Sequence, residues 1–265
     1  MLFANQKPVK ALILDMDGVL WRENESIGDL PAIFARFEEA GLKVLCATNN
    51  ATRTPAQYVD KLAGFGLHLK EEQIINSSMG VAYLLKKRFP QGGPVYIMGE
   101  IGLSTALLQA GFYHSEEPGL AVIGSMDRDI TFWKMKRATL LIRSGIPFYF
   151  TNPDRTFPTP EGLIPGAGAL LAALETASDV HPIIAGKPNT TLYDFALERL
   201  GTKPEETMGV GDRLETDILG AQKAGCLSAL VLSGISTRAE ADAWQPRPDL
   251  VVDELSVLLD AFDGQ

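Results

Sequence analysis

The chain has 265 residues, of which 46% are hydrophobic and 22% are charged. This is the balance of an ordinary globular protein, and the length allows one large domain or two smaller ones. The formal net charge is −9 and the pI is about 4.9, which argues against nucleic acid or an anionic membrane surface as the main partner. An anionic substrate would therefore need local positive charge, from basic side chains or from a metal ion.

The two cysteines and the N-terminal residues indicate the cellular compartment. Cys46 and Cys226 lie in apolar surroundings and lack zinc-ligand spacing. Their number allows one disulfide, but we expect buried thiols in a reducing cytosol. The opening "MLFANQKPVK" has no apolar segment long enough for a signal peptide, and no stretch approaches a transmembrane span. We therefore expect a cytoplasmic protein.

Short β-rich runs alternate with longer amphipathic runs along the chain. The first half begins with a predicted strand at 11–15, a helix at 29–41, a strand at 42–48 and a helix at 54–66. The C-terminal part continues with a helix at 191–201, a strand at 207–211, a helix at 216–225, strands at 227–233 and 249–253, and a helix at 254–262. This alternation is typical of parallel strands, so the predicted fold class is α/β with a doubly wound parallel sheet.

The spacing of these elements predicts a second domain inserted into the first. A βαβ unit takes roughly 30 residues, and Asp15 to Thr48 and Lys187 to Asp212 each span about one such unit. The stretch from Thr48 to Lys187 is several times longer, which is far too long for one crossover. It contains strand candidates at 94–99, 120–125 and 147–152, separated by helical runs near 104–110, 130–143 and 166–177. We therefore predict a core formed by residues 1–78 and 183–265 and an inserted α/β domain formed by residues 79–182.

The motif "DMDG" ends the first buried strand with two carboxylates one residue apart. Side chains alternate along a strand, so Asp15 and Asp17 would point the same way if the strand continued. Like charges held close need a cation or a shared proton between them. Gly18 also fits an ordinary polar turn, so the motif alone is as consistent with a turn as with a metal or phosphate site.

Three further polar motifs follow predicted strands, at the place where open α/β sheets form their sites. "ATNN" places Thr48 and Asn49 before a helix, which suits a phosphate oxyanion but also ordinary helix capping. Lys187 follows a strand-like run in "IIAGKP", although a lone lysine there is usually exposed. Asp212 follows the strand-end glycines of "MGVGD", and Asp217 would gain from a helix dipole whatever its other role.

In this order the four motifs resemble those of the haloacid dehalogenase (HAD) superfamily of phosphotransferases. The matching residues are Asp15-x-Asp17-Gly18, Thr48, Lys187 and Gly211-Asp212-x-x-x-x-Asp217. The segments "TNPD" (151–154), "PGAG" (165–168), "GKP" (186–188) and "VGDRLETDI" (210–218) look like the NagD-type subfamily IIA, which includes p-nitrophenyl phosphate, phosphoglycolate, nucleotide and pyridoxal phosphate phosphatases. The resemblance covers nearly the whole chain and implies a HAD-like Rossmannoid core with a smaller inserted α/β cap.

The resemblance implies a Mg²⁺-dependent phosphatase that hydrolyses small phosphate monoesters, of the sugar phosphate, nucleotide, phosphoglycolate or p-nitrophenyl phosphate type. Asp15 would be the nucleophile that forms an aspartyl-phosphate. Mg²⁺ would bind the carboxylates of Asp15 and Asp212 and the backbone carbonyl of Asp17. The carboxyl group of Asp17 would protonate the leaving oxygen and later activate water.

The remaining motif residues would handle the phosphoryl group. The resemblance implies that Thr48 and the amide of Asn49 hold phosphoryl oxygens, and that Lys187 neutralises both the nucleophile and the transferring group. Asp217 is expected to orient a water or Lys187. The insert would close over the site, and the loop at 151–157 is the best candidate for substrate selection. The expected partner is a small phosphorylated metabolite, and cap-mediated dimers in this subfamily make a homodimer one expected assembly.

Two other classes of protein could also contain these motifs. A signalling receiver domain also groups acidic residues, Thr and Lys around Mg²⁺, but in a different order and without a large insert. The other is a phosphoacceptor or binding protein that kept the site chemistry and lost turnover. The presence of every motif residue argues against it.

Overall fold

A computed structural model of the chain describes residues 2–4, 7–159 and 161–262. The strands are, in chain order, β1 (Leu2–Ala4), β2 (Lys7–Val9), β3 (Ala11–Leu14), β4 (Trp21–Arg22), β5 (Glu25–Ser26), β6 (Lys43–Thr48), β7 (Ile74–Asn76), β8 (Gly93–Met98), β9 (Phe112–His114), β10 (Val122–Gly124), β11 (Phe148–Phe150), β12 (Thr156–Thr159), β13 (Gly162–Pro165), β14 (Ile183–Ile184), β15 (Thr207–Gly211), β16 (Leu227–Val231) and β17 (Leu250–Val252). The α-helices are α1 (Leu30–Glu39), α2 (Pro55–Gly64), α3 (Ser77–Arg88), α4 (Ile101–Gln109), α5 (Phe132–Arg143), α6 (Ala167–Ser178), α7 (Thr191–Leu200), α8 (Leu219–Lys223), α9 (Arg238–Ala243) and α10 (Leu258–Phe262).

The first of two compact units takes its described residues from Met1–Thr48, Tyr58–Ile75 and Lys187–Gln265. Its centre is a six-stranded sheet in the order β17-β16-β15-β3-β6-β7. Every residue of β3, β15 and β16 is buried, as in strands covered on both faces. The pairs β3–β6, β3–β15, β15–β16 and β16–β17 are parallel, so their carboxyl ends meet at one edge of the sheet.

The second compact unit consists of Asn49–Gln57 and Asn76–Gly186. Its five-stranded sheet has the order β14-β11-β10-β8-β9, with parallel pairs throughout. Alternation along β11 places Phe148 and Phe150 in an apolar cluster with α5 and α6, and Tyr149 in a cluster with α3 and α4. The sheet therefore separates two helical layers, which confirms the predicted α/β class with parallel sheets.

The predicted division at residues 79 and 182 stays a prediction. The long segment of the second compact unit runs from Asn76 to Gly186, and the unit also includes residues 49–57. The helix predicted at 216–225 needs a correction, because the chain forms a single π-helical turn at Leu214–Ile218 and α8 begins only at Leu219. The strand-like run before Lys187 is β14, which belongs to the sheet of the second unit.

The structure describes both cysteines and the length of each helix. Cys46 and Cys226 are both free and buried, and burial raises the pKa of each thiol to about 12. Both thiols are therefore protonated at neutral pH and poorly reactive. Across the described part of the chain, no helix combines the length and apolar character needed to span a bilayer.

Candidate active site

Three of the expected site residues lie at the carboxyl edge of the six-stranded sheet. Thr48 is the last residue of β6, whereas Asp15 and Asp212 directly follow β3 and β15. Leu14 pairs with Cys46 on one side and Val210 on the other, and the amide of Asp15 donates to Val210 O at 2.8 Å. Uniformly apolar strands in parallel register thus bring residues from distant parts of the sequence to one edge.

Lys187 is buried beside Asp15, although a lone lysine in this position is usually exposed. Its Nζ donates to Asp15 Oδ1 at 2.7 Å and to Ala47 O at 3.0 Å, and it lies 2.6 Å from Asp217 Oδ1. Burial disfavours the ammonium charge, but the carboxylates of Asp15 and Asp217 outweigh burial and raise the pKa of Lys187. The side chain is therefore a permanent cation at physiological pH.

The loop after β16 encloses the carboxylate of Asp212. Oδ2 of Asp212 accepts from the amide of Ile235 at 2.9 Å, and its carbonyl accepts from the amide of Ser236 at 2.9 Å. A Cβ at Gly234 would lie 2.0 Å from the same Oδ2, so only glycine allows the loop this close. Burial, followed by the charge of Asp217, raises the pKa of Asp212 to about 7. No sequence motif indicated a role for this loop; the glycine shortly after the end of β16 is the signal that could have done so.

Asp217 is held beside Lys187 by the π-helical turn. Arg213 O accepts from the amides of both Asp217 and Ile218, at 3.0 and 3.2 Å, and the amide of Arg213 donates to Asp217 Oδ2 at 3.1 Å. The hydroxyl of Tyr193, a residue that no sequence motif indicated, donates to Asp217 O at 2.7 Å. Oδ2 of Asp217 is therefore bonded to the backbone, whereas Oδ1 contacts Lys187.

Asp15, Asp212 and Asp217 form a group that fits a divalent cation. Each offers a carboxylate oxygen, and the three oxygens lie within 4.8 Å of one another. Burial, together with the charges of Asp217 and Asp212, raises the pKa of Asp15 well above its usual range even though Lys187 lowers it. One ammonium thus leaves the repulsion between three carboxylates unbalanced. Oxygen ligands with excess negative charge are the donor set of a hard divalent cation such as Mg²⁺.

The carboxylate of Asp17 lies outside this group of three. Because β3 ends at Leu14, the alternation that would have placed Asp15 and Asp17 on one face does not continue. Met16 between them is buried, whereas Asp17 is exposed. Its Oδ1 accepts from the indole Nε1 of Trp21 at 2.7 Å. Any contact of Asp17 with a metal is therefore left to its backbone carbonyl.

Asn49 is buried among residues of the second compact unit. Its carbonyl accepts from Asn152 Nδ2 at 2.8 Å and from the hydroxyl of Ser77, and its Nδ2 donates to Asp154 Oδ1 at 3.4 Å. These contacts fix the backbone that follows Thr48. A role of the Asn49 amide toward a phosphoryl group stays a proposal.

A parallel sheet with grouped carboxylates and a buried lysine at its carboxyl edge defines a HAD-like site, and family models agree with it. The model of haloacid dehalogenase-like hydrolases matches residues 12–113, and the HAD-hydrolase-like model matches residues 184–258. The chain therefore belongs to the haloacid dehalogenase-like hydrolases, within the NagD-like subfamily IIA, and is a phosphoric monoester hydrolase.

Individual relatives cover nearly the whole chain. The 5′-nucleotidase YutF of Bacillus subtilis is 33% identical over 250 residues, which are 94% of this chain and 97% of that protein. The structure of NagD from E. coli K-12 aligns with a TM-score of 0.88 and 30% identity over 94% of this chain and 98% of that one. The glycerol phosphate phosphatase of Mycobacterium tuberculosis, solved in complex with calcium, aligns with a TM-score of 0.88 and 30% identity over 94% of this chain and 74% of that one.

Proposed function

We propose that the protein hydrolyses small phosphate monoesters through an aspartyl-phosphate on Asp15, with Mg²⁺ held by Asp15, Asp212 and the backbone carbonyl of Asp17. The observation that carries the proposal is the 2.7 Å pair between Asp15 and Lys187, set within a group of three carboxylates. A buried carboxylate next to a permanent cation can be both anionic and poorly solvated, as a carboxylate nucleophile requires. The relatives support a small phosphorylated metabolite as substrate.

The proposed reaction has two displacements at phosphorus. In the first, a carboxylate oxygen of Asp15 bonds to phosphorus, the bond to the ester oxygen breaks, and the leaving oxygen takes a proton from the carboxyl group of Asp17. In the second, Asp17 accepts a proton from water while the water oxygen bonds to phosphorus. The bond to Asp15 then breaks and inorganic phosphate is released. Both residues return to their starting protonation states.

The other site residues are proposed to balance charge and to hold the phosphoryl group. Lys187 would offset the negative charge of Asp15 and of the equatorial phosphoryl oxygens. Thr48 and the amide of Asn49 would hold those oxygens, and Asp217 would keep Lys187 in place through the 2.6 Å contact. When bound, Mg²⁺ would act as a Lewis acid that lowers repulsion between the nucleophile and the phosphoryl group.

The experiment that tests this function is a phosphate-release assay on p-nitrophenyl phosphate with Mg²⁺. Steady release over many turnovers supports the enzyme. One stable phosphorylation per chain, without further release, would instead support a phosphoacceptor that has lost turnover. A screen of phosphorylated metabolites ranked by kcat/KM would then identify the preferred substrate.

We predict that stabilisation by Mg²⁺ increases with pH. The pKa of Asp212 is raised from 3.8 to about 7, so between these values the folded protein holds a proton that the unfolded chain has released. Folding therefore takes up protons, and the stability contributed by Asp212 falls as the pH rises toward 7. Because a cation binds the ionised carboxylates, the Tm gained on adding Mg²⁺ should be larger at about pH 8 than at about pH 5.5.

Asp212→Asn is the matched control for this measurement. The amide oxygen still accepts from the amide of Ile235, but the charge is gone. In chelator, this variant should be more stable than the native chain at about pH 8 and similar to it at about pH 5.5. It should also show little response to Mg²⁺. An equal response of both proteins to Mg²⁺ would remove Asp212 from the proposed metal site.

We also propose that residues 79–182 form a cap that governs substrate choice. Asp15, Asp17, Thr48, Lys187 and Asp212 all belong to the first compact unit. The second unit has its own sheet and two apolar clusters. The proposal separates the chemistry, assigned to the core, from the selection of the leaving group.

Replacing residues 79–182 with a short linker is expected to leave a core that hydrolyses p-nitrophenyl phosphate weakly and discriminates poorly among metabolites. The reason is that the residues left in the core contact only the phosphoryl group common to all substrates. Circular dichroism would establish that the core is folded. A folded core with the substrate ranking of the full chain would place specificity in the core and refute the cap proposal.

A further inference from the structure

The indole of Trp21 holds the carboxylate of Asp17. Nε1 donates to Asp17 Oδ1 at 2.7 Å, and the Trp21 side chain is completely buried whereas Asp17 is exposed. We propose that Trp21 is a positioning residue that fixes the orientation of the Asp17 carboxyl group during phosphoryl transfer. This inference rests on the proposed function, since it assigns a support to the residue proposed as acid and base.

The indole is immobilised from several sides. Its ring stacks on Tyr58 with centroids 6.4 Å apart and an interplanar angle of 18°, and it packs against Phe65 at 6.1 Å. Nζ of Lys61 lies 4.1 Å from the ring centroid and donates to Glu23 O at 3.0 Å. A ring fixed in this way offers its N–H in one direction only.

The backbone of the turn brings the two residues together. The amide of Gly18 donates to Trp21 O at 2.8 Å, and Asp17 and Trp21 form a β-bridge. Gly18 has a φ of +81°, and a Cβ there would lie 2.6 Å from Asp212 Oδ2, so the turn needs glycine for both reasons. The hydroxyl of Ser233 donates to Gly18 O at 2.7 Å. The turn that carries Asp17 is thereby anchored to the loop that encloses Asp212.

The bond determines which oxygen of Asp17 can carry a proton. An indole N–H is a donor only, and in a neutral carboxyl group the carbonyl oxygen accepts a hydrogen bond better than the hydroxyl oxygen, so this bond keeps Oδ1 as the carbonyl oxygen. The proton given to the leaving oxygen therefore resides on Oδ2, and the proton taken from water returns there. Without the indole N–H, an exposed carboxyl group would rotate, and the two oxygens would exchange roles.

This assignment predicts an effect that depends on the leaving group. An alkyl phosphate leaves as a strongly basic alkoxide and needs a proton, whereas p-nitrophenolate leaves readily without one. Trp21→Phe keeps an aromatic ring but removes the N–H. We expect it to lower kcat/KM, which reports the first displacement, about tenfold or more for glycerol phosphate and only about two- to threefold for p-nitrophenyl phosphate.

Two further variants separate positioning from packing. Phe65→Leu disturbs the contact with the Trp21 ring without touching its N–H, so the ratio of kcat/KM for glycerol phosphate and p-nitrophenyl phosphate should stay native. In case Trp21→Phe folds poorly, 3-benzothienylalanine at position 21 keeps the shape of the indole and replaces the N–H with sulfur. It should reproduce the selective loss on the alkyl phosphate.

A double variant supplies the closing test. Once Asp17→Asn has removed the acid, adding Trp21→Phe should not change the ratio of kcat/KM for the two substrates any further, because residues that act as a unit are not additive. Equal losses of kcat/KM on both substrates, or a further change of the ratio in the Asp17→Asn background, would overturn the positioning role alone. Absence of turnover in the native protein would overturn it together with the proposed function.

Discussion

Asp15→Asn is expected to lower kcat for p-nitrophenyl phosphate by about 10⁴-fold or more in the presence of Mg²⁺. The amide has the shape of the carboxylate but lacks the charge and nucleophilicity needed to attack phosphorus. The fold should survive, because Lys187 keeps Ala47 O and Asp217 as partners. Burial raises the pKa of Asp15, so the surroundings favour a neutral side chain at this position.

The measurement combines steady-state kinetics, thermal unfolding and acid-quenched mass spectrometry of the peptide that contains Asp15. The native protein should show a covalent phosphoryl group on this peptide during turnover, and the variant should show none. Asp127→Asn is a matched control, since Asp127 is also buried and ion-paired, with Nζ of Lys134 at 2.8 Å, but has no role in the proposed reaction. Retention by Asp15→Asn of more than a few per cent of native kcat would refute the nucleophile assignment.

The sheet of the first unit and the place of Asp15, Thr48 and Asp212 could be predicted from the sequence. The runs Ala11–Leu14 and Thr207–Gly211 are buried at every position, so a short apolar segment with a polar residue behind it indicated both a central strand and its carboxyl end. Parallel pairing then required these ends to meet at one edge. This inference needed only local patterns and one topological rule.

The electrostatics of the site could not be predicted in the same way. Asp217 lies beside Lys187 because the chain forms a π-helical turn at Leu214–Ile218, whereas the sequence pattern predicted a regular helix there. The burial of Lys187 depends on Asp15 and Ala47, which are far away in the chain. No local pattern encodes such contacts, because they exist only once the sheet has formed.

Helix α3 was missed for a different reason. Its buried residues include Ser77, Ser78 and Gly80, which are small or polar and resemble a loop in the sequence. Asn76 caps the helix by accepting from the amide of Met79 at 3.0 Å, and the apolar positions Val81, Ala82 and Leu85 follow only after these small and polar residues. The hairpin β12–β13 was missed because its prolines are typical of irregular chain.

The ion pair between Lys187 and its two carboxylate partners should matter for both catalysis and stability. Lys187→Met is expected to lower kcat by about 10²- to 10³-fold, because a positive charge beside the transferring group is lost. In chelator it should also lower the free energy of unfolding by about 3–5 kcal/mol, because Asp15 and Asp217 would remain as buried charges without their cation. The pKa of Lys187 is raised, so its contribution to stability is present throughout the physiological pH range.

A second substitution separates the two roles of Lys187. In Lys187→Met/Asp217→Asn the unpaired charge on Asp217 is removed, so part of the lost stability should return while kcat stays low, since the ammonium that faced Asp15 is still missing. Denaturant unfolding and steady-state kinetics on the native protein, Lys187→Met, Asp217→Asn and the double variant give stability and kcat as one double-mutant cycle. Arg143→Met is the matched control, because Arg143 and Asp179 are both exposed and their ion pair should contribute far less. Recovery of kcat together with stability would show that Lys187 serves only to balance buried charge and takes no part in phosphoryl transfer.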